Sequence, residues 1–135
     1  DEADRESTCR AWRFVQQYKA QYHPGFLAGW DVGRAAMLAR WGCYLGWITE
    51  SEAIGILWEL SGKAAEHLHS WREFAQSYLF GGLMWKLLRG DSSAASYLGY
   101  IADAATDLLT GQPGSDGVQW RNCPWPAQRK IGFTL

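Results

Sequence analysis

The stretch with the clearest chemical content is Gly29-Trp30-Asp31-Val32-Gly33-Arg34-Ala35, continued by Leu38-Ala39-Arg40-Trp41-Gly42. It places one carboxylate, Asp31, and two guanidiniums, Arg34 and Arg40, between two tryptophans, Trp30 and Trp41. These five are the candidate binding residues; none is assigned a catalytic step. On a helix Asp31 and Arg34 are near neighbours, so an ion pair is the first expectation. Trp30, Arg34, Met37, Leu38, Trp41, Tyr44 and Leu45 share one broad apolar stripe, which predicts a helix facing the core with a cation inside that face. A guanidinium there must be paired, or its stem must lie buried with the head reaching water. The stem is therefore expected beside Trp30, Leu38 or Trp41 and the head on Asp31, with Arg40 reaching Glu52 or Glu73. Such a pair fixes the register of a bundle, or it is an anion site or a catalytic acid beside a positioning arginine.

Other chemistry is sparse. His67 and His69 are two residues apart, about 200° around a helix, so they cannot hold one metal from a single face. The cysteines Cys9, Cys43 and Cys123 are odd in number and lack close metal or redox spacing. No metal and no cofactor is expected. No nucleophile elbow, phosphate loop, HExxH or dinucleotide fingerprint occurs. With 13 basic and 14 acidic residues the net charge is −1, which does not resemble the one-sided basic footprint of a nucleic-acid binder. No apolar run reaches the ~18 residues of a membrane span. Free thiols predict a reducing compartment, the cytoplasm, with Cys43 a small buried hydrophobe. The abrupt opening Asp-Glu-Ala-Asp predicts a domain cut or processed from a longer protein.

The elements that must position these groups read as helices throughout. The polar first nine residues are expected to fray. A helix then runs from about Arg5 to Tyr22 on Ala11, Phe14, Val15, Tyr18 and Tyr22, ended by His23-Pro24-Gly25. The central helix spans about Phe26 to Gly46. Its four glycines, 29, 33, 42 and 46, imply close approach of another backbone or a break near Gly42. Thr49 with Glu52 and Ser70 with Glu73 read as capping boxes opening the third and fourth helices. Ala53, Ile56, Leu57, Leu60, Ala64 and Leu68 stripe the third. Trp71, Phe74, Ala75, Tyr78, Gly82 and Trp85 stripe the fourth, where Gly81-Gly82 predicts a tightly packed neighbour. Asp91 is expected to cap a fifth helix ending at Gly111. The last twenty residues contain Pro124 and Pro126 and are expected to be extended, with Trp120 and Trp125 stapling them to the bundle. The fold class is therefore all-α: a single domain over 1–135, a five-helix bundle with its core in 26–112 and an extended tail over 113–135.

GWDVGRAAMLARWGCYLGWITESEA and SWREFAQSYLFGGLMW together resemble the bacterial family called domain of unknown function 1266. The pattern is like G-W-D-x-G-R-A-x-x-L-A-R-W-G followed by W-x-x-F-x-x-S-Y-L-x-G-x-x-x-W. The likeness covers about Phe26 to Leu109, and Cys123-Pro124-Trp125 resembles the family's closing Pro-Trp. It implies a small bacterial protein or an appended domain and carries no activity.

Two functions are then weighed. Neutral charge, the lack of a catalytic constellation and nine tryptophans favour a module that binds another protein, such as an accessory or immunity-type protein of a bacterial secretion or antagonism system. The alternative is an enzyme or toxin domain using Asp31, Arg34 and Arg40 in one cleft. An exposed aromatic patch would mark the first and a deep converging pocket the second.

Overall fold

A computed structural model describes residues 1–111 and 119–127. Among these the chain is helical, without strands: α1 Glu2–Gln21, a 3-10 turn Pro24–Leu27, α2 Ala28–Tyr44, α3 Glu50–His67, α4 Trp71–Leu88, α5 Ala94–Thr110 and α6 Gln119–Asn122. The all-α expectation holds. The first residues are not irregular but helical from Glu2 onward. Asp1 caps α1 by accepting from the Ala3 N–H at 3.2 Å, and acidic Glu2 and Asp4 suit the positive end of the helix.

Thr49 caps α3 in a complete box: Thr49 accepts from the Glu52 N–H, and the Glu52 carboxylate accepts from the Thr49 N–H at 2.7 Å. Those bonds hold the Glu52 carboxyl below its ordinary range. Ser70 likewise caps α4. Its return arm lands one residue early, because Glu73 accepts from the His69 N–H at 2.7 Å. Asp91 does not cap α5; that position is Ser93, which makes no side-chain cap bond. Lys86 draws Asp91 away, Nζ to Oδ2 at 2.8 Å, while Oδ1 accepts from the Ser93 N–H. Lysine and serine together hold the Asp91 carboxyl well below the carboxylate range.

Helix α4 is the hub and packs against α1, α2 and α5, while α3 packs on α2. The small core gathers Tyr18, Phe26 and Leu68, with Leu27, Phe74, Phe80 and Trp125 around it. Phe80 stacks on Phe14 and Tyr18, both at 4.8 Å between centroids. The tail is stapled as expected. Trp120 stacks on Trp71 at 5.0 Å, and the Trp125 indole donates to the Leu68 carbonyl at 3.0 Å. The tail is not wholly extended, because residues Gln119–Asn122 form one helical turn ahead of the prolines. Within 113–135, residues 113–118 and 128–135 lie outside the described residues.

The largest correction concerns α2, whose big apolar stripe is half-buried at Trp30, Arg34 and Met37 and faces outward at Leu38, Trp41, Tyr44 and Leu45. Leu38 is 57% exposed, Trp41 55% and Tyr44 89%, and Leu45 is exposed too. The inward side is the small-residue side, with Gly29, Ala39 and Gly42 buried. Both stripes have helical period, so periodicity marks faces without saying which is buried. Close approach decides it. A Cβ on Gly29 would come 2.5 Å from Ser77 Oγ, and one on Gly33 2.5 Å from the Tyr78 ring. Gly29 and Gly33 therefore serve packing, Gly46 takes a left-handed turn at φ 74° beyond the helix, and α2 is unbroken to Tyr44.

Candidate functional site

The site is built where α2 crosses α4. Gly81 and Gly82 cut a notch into α4 that receives Trp30: a Cβ on Gly81 would lie 2.3 Å from the Trp30 Cβ, and one on Gly82 2.8 Å from its ring. The seated indole lies 5.1 Å from the Tyr78 ring and 6.3 Å from Trp85. One turn along α2, the Arg34 guanidinium lies over Trp30 at 5.2 Å and over Trp85 at 5.7 Å. Each such contact is worth roughly 0.5–2 kcal/mol, depending on desolvation. Arg89 lies over Trp85 as well, at 4.9 Å.

Two expectations are corrected here. Among the described residues no carboxylate stands within 4.0 Å of Arg34, and exposed Asp31 makes no ion pair with it. The aromatic faces replace the acid as the arginine's neighbours. Beside Trp30 it is the head of Arg34 that is placed, over the ring. Arg40 is exposed and reaches neither proposed acid: Glu52 is bound to Thr49, and Glu73 to His69 and, at 3.7 Å, His23. Six residues apart on a helix, Arg34 and Arg40 point about 120° apart, so Asp31, Arg34 and Arg40 do not share one cleft. Trp30 is half-buried at the α4 notch, whereas Trp41 is exposed on the outer stripe. Of the five candidates, Trp30 and Arg34 come together.

Three participants escaped sequence reasoning. Trp85 and Tyr78 were legible as stripe residues of α4, not as partners of Arg34. Tyr97 of α5 brings a buried hydroxyl without a hydrogen-bond partner among the described residues. Burial pushes its pKa up to about 12, and the Tyr78 phenol, close by but outside hydrogen-bond geometry, adds to the rise while the Arg34 charge opposes it. Lys86 covers the Tyr97 ring at 5.1 Å. Beneath this site Ser77, fully buried, accepts from the Gly29 N–H at 2.9 Å and donates to the Phe26 carbonyl. It ties the start of α2 to α4 and so sets where Trp30 and Arg34 sit.

A second polar cluster lies at the opposite end of α4. Glu73 faces His69 Nδ1 at 3.1 Å and His23 Nε2 at 3.7 Å. Burial alone would raise the Glu73 pKa, but the His69 N–H, the His69 ring and His23 outweigh it and lower it. His67 packs on the Pro24–Leu27 turn, where a Cβ on Gly25 would lie 2.5 Å from its Nδ1. No helix among the described residues is long and apolar enough to cross a membrane.

Comparison with known proteins agrees with the family resemblance. Two proteins of Escherichia coli K12 are similar. Uncharacterized protein YbeU is 30% identical over 74 residues, which is 55% of this chain and 32% of YbeU. Uncharacterized protein YbeR is 29% identical over 109 residues, 75% of this chain and 45% of YbeR. The chain thus spans less than half the length of either relative. No solved structure matches it. A family model described as protein of unknown function, DUF1266, matches residues 1–125, and the chain belongs to that family.

Proposed function

We propose that the chain is a protein-interaction module that engages its partner through the outer face of α2. The observation that carries this reading is the outward stripe. Leu38, Trp41 and Leu45 fall within about 60° of one another on α2. Tyr44 and Trp47, both largely exposed, sit at its C-terminal corner. An aromatic side chain offers roughly 150–250 Å² for burial, so three aromatics and two leucines more than half exposed present several hundred Å². That is the scale of patches that mark interaction sites on soluble proteins. Trp and Tyr are also the residues that most often anchor such contacts. The enzyme alternative loses its motive, because Asp31, Arg34 and Arg40 do not converge.

The test is affinity purification of the tagged chain from its native cells beside a Leu38→Glu/Trp41→Ser double variant. Light scattering on the purified proteins detects self-association. We expect one partner, or a second copy, at near-stoichiometric yield with the native chain and its loss with the variant, at unchanged helicity. Equal recovery from both proteins would overturn the reading.

A further inference from the structure

We propose that Arg34, whose guanidinium lies over the neighbouring Trp30 and Trp85 indoles, forms with Arg89 on the same Trp85 an oxyanion-binding site that takes a carboxylate or a phosphate group. This stands apart from the apolar face of α2 and does not depend on it.

The Arg34 guanidinium carries five N–H donors in one plane. None of them makes a hydrogen bond to a described residue, and no described carboxylate neutralises the charge. Other nearby charges are accounted for: Lys86 is bonded to Asp91, and Asp31 stays apart from Arg34. Arg89, over the same Trp85 indole, adds a second cation with no paired acid among the described residues. The Tyr97 hydroxyl, buried and without a hydrogen-bond partner among the described residues, lies close enough to Arg34 for the charge to oppose the rise in its pKa.

The aromatic floor of the site is tightly packed. Trp30 cannot shift into α4, because Gly81 and Gly82 already meet it at contact distance. The indole against the guanidinium is thereby fixed before any ligand arrives. A planar fork with unused donors matches the paired oxygens of a carboxylate or phosphate.

The test is NMR titration of the whole chain, following the Arg34 Nε–H and the Trp30 and Trp85 indole N–H signals. Inorganic phosphate and acetate are added separately, each against sodium chloride at matched ionic strength. Saturable shifts of these three signals are expected with at least one probe, in roughly the millimolar range for so small an anion. Saturation by phosphate alone assigns a phosphate ligand; saturation by acetate assigns a carboxylate. Arg34→Lys keeps the charge but loses the fork, and should weaken binding about tenfold with the melt retained. Should that variant not fold, Arg89→Met provides the second arm and should weaken binding severalfold. Non-saturating shifts equal to those of chloride would overturn the proposal. So would affinity unchanged in the folded Arg34→Lys variant or, if that one fails to fold, in Arg89→Met.

Discussion

Beyond the seated Trp30, the two faces of α2 invert the usual distribution of size. Inward, toward α3 and α4, the helix presents Gly29, Gly33, Ala39 and Gly42; outward it presents Leu38, Trp41, Tyr44 and Leu45. The inner face gains stability from backbone proximity and close contact, which need small residues. The outer face leaves apolar area in water, which a helix selected for stability alone would not do. Inner positions should therefore be intolerant of added atoms, and outer positions tolerant of lost ones.

The strongest way to break that contrast is to enlarge the inner face. Gly29→Val would drive its side chain into Ser77 Oγ and the Phe74 carbonyl, which stand 2.5 and 3.0 Å from a first Cβ. Overpacking against a backbone atom should cost about 3 kcal/mol or more, read as a large fall in the midpoint of denaturant unfolding. Ser77→Ala comes next. It removes no packing of consequence but strands the Gly29 N–H and the Phe26 carbonyl in a dry site. A loss of about 2 kcal/mol is expected. A melt unchanged by this substitution would show that water replaces the hydroxyl.

Acid probes the far end of α4. The Glu73 pKa is depressed in the fold, so its contribution is present above the ordinary value of 4.5 and is lost as pH falls through the lower folded value. The difference in Tm between the native chain and Glu73→Gln should be open just above that pH and close below it. The smallest effect belongs to the outer face. Trp41→Ser should change stability by about 0.5 kcal/mol, as exposed positions do. A loss as large as that of Ser77→Ala would mean that Trp41 packs against the fold and the contrast is false.

Local chemistry was legible before the structure, and longer-range chemistry was not. The Thr49–Glu52 box lies within four residues and needs no tertiary information. The tight neighbour of Gly81-Gly82 was also readable, since paired glycines inside a helix are costly unless something fills their place. The direction of α2 was not readable, because its large and small stripes share one period. Asp91 was misassigned because Asp91, Ser92 and Ser93 are all competent caps, and a lysine from the preceding helix chose among them. Arg34 was matched with the acid nearest in sequence, whereas its second neighbour, Trp85, comes from another helix. Ser77 was missed for the same reason: a serine mid-helix is ordinary until a glycine amide is brought to it.

The Ser77 hydroxyl has a consequence for how the molecule breathes. Amides in the first turn of a helix ordinarily lack an internal acceptor and trade their hydrogen with solvent readily. The Gly29 amide is the reverse, because it sits in the first turn of α2 yet is bonded in a buried site to a side chain of α4. It can exchange only when the two helices part. Its deuterium uptake, compared with that of the mid-helix amides of α2, therefore reports whether α2 lifts off α4 as one body or frays from its end.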